Sequence, residues 1–224
     1  MKLRIDMHVH SIYSKHWFWG HDSLNKPREL IKVAIKKGMN GLAITDHDSV
    51  KGSIVAKKIA RNFKGFKIIT GSEIKTLDGE LLGLGIKKDV PKLMSVEETI
   101  EKIHDLGGIA IAPHPFGSYV FRQCLREKSV KADGIEVYNA TLLKYANSQA
   151  MKLAKSFKKP MTAGSDAHGL RELGNGAIEC SGDPLEAIMK KKVKIIAKKT
   201  TMRDILNLAA RKYIRSIEWR ILGK

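Results

Sequence analysis

Eight histidines occur in the chain, and five of them stand in short motifs together with carboxylates. His8 and His10 form a His-x-His. His47 sits in Thr45-Asp46-His47-Asp48, Glu73 in Gly71-Ser72-Glu73, and His114 in Ala112-Pro113-His114-Pro115. Asp166 and His168 share Gly164-Ser165-Asp166-Ala167-His168. Imidazole nitrogens and carboxylate oxygens are the donor set for Zn, Mn or Fe. Residues i and i+2 of a strand point to one side, so His8 and His10 can reach a common ion. Seven such donors suffice for two or three divalent ions that share a bridging carboxylate. His104 falls inside a helical pattern away from the motifs and reads as an ordinary histidine.

The elements that must position these groups are short. Residues 3–8, 41–45, 66–71, 81–86, 109–112, 133–138 and 161–164 read as apolar strands, and 194–197 as a weaker one. Residues 28–37 read as an amphipathic helix with Pro27 in its first turn. Asp48 or Ser49 caps a helix to about residue 62, and the capping box Ser95-Val96-Glu97-Glu98 opens another over 95–106. A fourth helix covers 141–157. Each chemical motif then lies on, or just beyond, the C-terminal end of a predicted strand. In a parallel α/β fold those ends converge on one face, where sites are built. The alternation predicts an α/β protein with a mostly parallel sheet. The chain is short for an eight-fold barrel of about 250 residues, so a seven-stranded or distorted barrel and an open doubly wound sheet both fit.

Composition narrows the class. The 224 residues include 41 Lys+Arg against 23 Asp+Glu, a formal net charge of +18, with 43% hydrophobic residues. That is too apolar for a disordered chain and too polar for a membrane channel. Two cysteines, Cys124 and Cys180, make no disulfide framework and read as lone thiols. Asp6 and His8 interrupt the N-terminal stretch, and no window of 18 apolar residues occurs. The expectation is a cytoplasmic protein without a membrane partner. Residues 181–224 hold 12 Lys+Arg against 4 acids. Such a field attracts phosphate-bearing partners and makes nucleic acid a candidate partner, while a solvated Lys-rich surface is the plainer reading. The chain divides into a main domain over 1–198 and a basic C-terminal extension over 199–224, helical over 201–222.

Five motifs resemble those of the polymerase and histidinol phosphatase (PHP) family of metal-dependent phosphoesterases. They are Asp6-Met7-His8-Val9-His10-Ser11, Ile44-Thr45-Asp46-His47-Asp48, Gly71-Ser72-Glu73, Ala112-Pro113-His114-Pro115 and Gly164-Ser165-Asp166-Ala167-His168. One His-x-His is weak; five motifs in order, across residues 3–180, are specific. The resemblance implies a distorted seven-stranded β/α (TIM-like) barrel with up to three metal ions at the C-terminal face of its strands. Carried over, it gives the first metal His8, His10, Glu73 and Asp166. The second shares Glu73 and adds His114. The third takes His47 and His168 with one residue from the loop after the first strand. Spacing in Ser14-Lys15-His16 favours His16, with His21 and Asp22 as fallbacks; many members carry Asp where this chain has Lys15. Some members supply a histidine near residue 80, where this chain has Glu80, either a ligand of the second metal or an ordinary turn residue.

The implied activity is hydrolysis of phosphate esters (phosphomonoesters, nucleotides or short oligonucleotides) by a metal-activated hydroxide. Asp166 is a candidate general base, and His168 a candidate for assisting the leaving oxygen. Asn139 either donates to phosphate or caps the following helix. Trp17-Phe18-Trp19 either stacks on a base or plugs the barrel, and Arg122 and Arg126 are phosphate clamps by residue type alone. Two other functions compete: a metal-dependent amidohydrolase, and an RNA-binding subunit like that of ribonuclease P, without catalysis of its own.

Overall fold

The structure is a computed structural model. It describes residues 2–16, 20–23, 25–117, 123–198, 210 and 214, with the backbone alone at 16, 20 and 21. The aromatic run at 17–19, Arg122 and the expected helix over 201–222, apart from residues 210 and 214, lie outside the described residues.

In chain order the elements are β1 (Lys2–Val9), the two-residue strands β2 (Lys15–His16) and β3 (Gly20–His21), α1 (Pro27–Lys36), β4 (Gly41–Ile44), α2 (Lys51–Ala60), β5 (Lys67–Lys75), β6 (Glu80–Leu84), α3 (Val96–Asp105), β7 (Ile109–Ala112), β8 (Gly134–Asn139), α4 (Lys144–Ser156), β9 (Met161–Gly164), β10 (Gly176–Ser181), α5 (Pro184–Met189) and β11 (Lys194–Ala197). The helices follow local rules. Pro27 starts α1, which buries Leu30, Ile31 and Ala34 along one stripe. Ser95 and Glu98 close a reciprocal capping box on α3, whose buried face is Val96, Thr99, Ile100 and Ile103.

Nine strands form one sheet in the order β11-β10-β1-β4-β5-β6-β7-β8-β9. Beyond β9 the chain hydrogen-bonds back to β1: Asp166 N donates to His8 O at 2.8 Å and His10 N donates to Ala167 O at 3.0 Å. The sheet is thus a nearly closed, distorted barrel. The count corrects the expected seven strands: β10 pairs antiparallel with β1, and β11 with β10. The sheet is also mixed rather than mostly parallel. β6 runs antiparallel to both β5 and β7, because Asp78-Gly79 closes a tight hairpin in which Thr76 N donates to Gly79 O at 2.7 Å. This reversal sets Glu80, the first residue of β6, on the face where the other barrel strands end.

One apolar cluster gathers Leu3, Ile5, Met7, Ala43, Ile69, Leu82, Leu84, Ile111 and Ala163 from around the ring, and so fills its interior. Other clusters lie outside it. Leu42, Ile44 and Ile68 pack under α1 and α2, Leu81 and Ala110 under α3, and Ile135 and Val137 under α4. Strict alternation after Ile5 and Met7 would send His8 outward. The β1–β4 register slips between Asp6 and Val9 instead, and this bulge turns His8 inward. A second slip between Glu136 and Tyr138 interrupts the β8–β9 pairing.

Candidate metal centre

His8 and His10 come from the end of β1, Glu73 from the last part of β5, His114 from the turn after β7, and Asp166 and His168 from the turn after β9. His47 follows β4. Apart from His47, which is partly exposed, these side chains are buried. His8 Nε2 lies 3.2 Å from His10 Nε2, 3.3 Å from Glu73 Oε2 and 3.6 Å from Asp166 Oδ1. His10 Nε2 lies 3.3 Å from the same Glu73 oxygen and 3.2 Å from the same Asp166 oxygen. Donors about 2.1 Å from one ion stand about 3.0–3.4 Å apart, so this spacing fits a shared cation. His8, His10 and Asp166 form one set of donors compact enough for a single ion, and Glu73 lies against both of its imidazoles.

Two further groupings adjoin the first. His114 Nε2 is 2.7 Å from Glu73 Oε1, and His8, Glu73 and His114 form one set of donors. Glu80 stands beside it, with Oε2 at 3.7 Å from His114 Nε2 and Oε1 at 3.9 Å from His47 Nδ1. In the third set, Asp22 Oδ2 is 2.6 Å from His168 Nε2 and 3.3 Å from His47 Nε2, with His10 alongside. Asp22 therefore takes the loop position in this set. The side chains of His16, the expected residue, and of His21 lie outside the described residues.

Neighbouring groups fix the ring orientations. His8 Nδ1 meets Glu136 Oε1 at 3.2 Å, His10 Nδ1 meets Ser14 Oγ at 3.0 Å, and His168 Nδ1 meets Asp166 O at 2.9 Å. Each leaves Nε2 to face the cluster, the arrangement found where imidazole binds a metal. Both nitrogens of His168 are thus engaged, Nδ1 by Asp166 O and Nε2 by Asp22 Oδ2. Asn139 is buried, and its amide donates to Glu136 Oε2 at 2.9 Å and to Asp166 Oδ2 at 3.4 Å. It neither faces open space nor caps α4. The Thr141 hydroxyl adds a contact to the same Asp166 oxygen at 3.3 Å. His114 and Asp166 both adopt positive φ, 31° and 52°, backbone strain of the kind concentrated at functional sites. His104 is on α3 against Asp133, apart from the cluster, and Arg126 is exposed.

Electrostatics follow from this crowding. Burial opposes charge on His8, but Glu73, Asp166 and Glu136 outweigh it and carry the imidazole well above its usual value. Burial likewise opposes charge on His47, and Glu73, with help from Asp22 and Glu80, lifts it to about 9. Burial acts to raise Glu73, yet His8 and His47 hold it well below the ordinary carboxylate range. The pocket is thus a nest of negative charge that attracts cations. Three acids escape sequence reasoning. Glu136 orients His8. Buried Asp6 accepts from Ser165 N and Gly174 N, both at 2.8 Å, and is driven by burial to about 6. Asp46, raised by burial, accepts from the Ser11 hydroxyl at 2.7 Å. Asp6 and Asp46 stood inside the quoted motifs, where their nearness to His8 and His47 was the only signal.

Residues 144–191 match the PHP-associated family PHP_C. An uncharacterized protein of Methanocaldococcus jannaschii, MJ1587, is 44% identical over 142 residues, covering 62% of this chain and 82% of that protein. The chain thus has a PHP-like metal-binding phosphoesterase fold. A 5'-3' exoribonuclease of Haemophilus influenzae is 31% identical over 115 residues, 50% of this chain and 39% of that protein. A solved structure of an amidohydrolase from Chromobacterium violaceum, with bound sulfate and no metal, superposes with a TM-score of 0.64 at 18% identity. The superposition covers 86% of this chain and 98% of that one, and shows that the fold is shared.

Proposed function

We propose that the protein is a metal-dependent hydrolase of phosphate esters: phosphomonoesters, nucleotides or short oligonucleotides. The observation that carries this reading is that His8 Nε2 and His10 Nε2 each stand within 3.6 Å of both Glu73 Oε2 and Asp166 Oδ1. Divalent ions held there, Zn, Mn or Fe by donor type, lower the pKa of bound water toward neutrality and offset charge on a phosphoryl group. His8, His10, Glu73 and Asp166 would hold the first ion, Glu73 and His114 the second, and Asp22, His47 and His168 the third.

The remaining residues orient these. Glu136 and Ser14 hold the His8 and His10 rings. Asn139 and Thr141 hold one oxygen of Asp166 and leave the other to the ions, so Asp166 serves as a ligand rather than a free base. Asn139 is in this reading a positioning residue, not a phosphate contact. The net charge of +18 and the likeness to an exoribonuclease both favour a nucleotidic phosphate, drawn in by the basic field. Among the described residues no helix is long and apolar enough to cross a membrane, and we take the cytoplasm as the place of action.

The test is turnover of p-nitrophenyl phosphate and of a short oligonucleotide by the ion-loaded protein, with Asp166→Asn and His8→Ala beside it. Outer partners of metal ligands are worth about 10–100-fold, so loss of a ligand is expected to cost at least that in rate, with metal content reduced. Wild-type rates at unchanged metal content would reject the reading. The amidohydrolase likeness supports a second reading, hydrolysis of an amide. A parallel assay on amides decides between them, and protein that takes up no ion under any loading condition would favour an RNA-binding role.

A further inference from the structure

Glu80 stands where the hairpin Thr76–Gly79 turns the chain back, so β6 begins at the face where β5 and β7 end. Its two oxygens meet the same two imidazoles as those of Glu73. Glu73 Oε1 is 2.7 Å from His114 Nε2 and Glu73 Oε2 is 3.3 Å from His47 Nδ1. Glu80 Oε2 is 3.7 Å from that His114 nitrogen and Glu80 Oε1 is 3.9 Å from that His47 nitrogen. Two carboxylates thus span the same pair of histidines, one from each strand of a single hairpin. His47, Glu73 and Glu80 also form a donor set compact enough for one ion. A turn residue with no further task has no reason to aim one oxygen at buried His114 and the other at half-buried His47.

We propose that Glu80 is a second bridging carboxylate, completing with Glu73 and His114 an ion site of two carboxylates and one imidazole that takes a hard divalent cation. Carboxylate oxygens suit Mn2+, whereas imidazole suits Zn2+. Glu80 therefore raises the share of Mn2+ at this site relative to a histidine in its place. His47 contributes Nε2 to the neighbouring set with Asp22 and His168, and its Nδ1 proton goes to the paired carboxylates. The inference rests on the hydrolase reading above and adds to it the identity of one ligand and the class of its cation.

Ion-free wild type, Glu80→Gln and Glu80→His are each equilibrated with equal concentrations of Mn2+ and Zn2+, desalted, and their metal content per chain measured by mass spectrometry. Thermal unfolding of the ion-free forms checks that each is folded. Expected are about one ion per chain fewer in Glu80→Gln, and in Glu80→His a full complement with a several-fold lower Mn:Zn ratio. Removal and replacement test the same donor independently, so either variant decides if the other fails to fold. Wild-type ion number and ratio in both variants would overturn the proposal and leave Glu80 a turn residue, with the hydrolase reading intact. Wild type that binds no ion would overturn both.

Discussion

His47 has two nitrogens and two sets of acids to answer to, Asp22 on one side and Glu73 with Glu80 on the other. In the ion-free protein those acids keep it protonated at pH 7, since its pKa is lifted to about 9. A ligand must be neutral, so binding expels that proton, and His8, also raised, expels another. Calorimetric titration with Mn2+ or Zn2+ in two buffers of different ionisation heat is expected to show net release of at least one proton per chain at pH 7. Apparent affinity is expected to rise as pH is raised toward 9 and to fall on acidification; proton-neutral binding would contradict the charge pattern. At this scale the sequence was informative where chemistry restricts residue type. Few side chains other than His, Asp and Glu can serve here, and the motifs named them. It was poor where a loop sets the distance. The spacing of Ser14 and His16 gave no preference for Asp22, because a loop has no periodicity to project a side chain. Glu136 went unnoticed as a partner of His8 because two residues 128 apart in the chain meet only through the folded barrel.

Strands were legible from their short apolar runs, and β7 and β9 fall at the residues expected. The direction of β6 was not, since an apolar run over 81–86 carries no sign of which way it runs, and the hairpin over Thr76–Gly79 sets it. β10 was missed because Gly176–Ser181 carries neither a clear alternation nor a flanking motif. The bulge in β1 could not be seen either: alternation predicts which residues share a face, not where a ladder slips. That bulge brings His8 hard against β9. A Cβ placed on Gly164 would stand 2.3 Å from His8 Cβ and 2.7 Å from Glu136 Oε1. Gly164→Ala is therefore expected to push both side chains out of place, destabilising the ion-free protein by about 1–3 kcal/mol and weakening ion uptake. Urea unfolding and metal analysis measure the two effects; an unchanged unfolding midpoint would mean the strand gap closes less tightly than described.

For the molecule as a whole, the ions and the fold support each other. The groups that would hold them come from β1, β5, β6, the segment after β3 and the turns after β4, β7 and β9, so each cation would tie together segments that only the native barrel brings near. A ligand present at 100 times its dissociation constant stabilises the folded state by about 2.7 kcal/mol. Chelation with EDTA is expected to lower the thermal midpoint of the loaded protein by several degrees, and restoring Mn2+ to recover it; equal midpoints would show that the cations sit on a scaffold indifferent to them. The seam between β1 and β9 adds a matter of timing. His8 O receives the Asp166 amide and Ala167 O receives that of His10, so the two sides of the first cage are united only when the seam closes. A ribosome must therefore deliver the chain past residue 168 before the sets that include Asp166 and His168 are complete, whereas the set of His8, Glu73 and His114 needs nothing beyond residue 114.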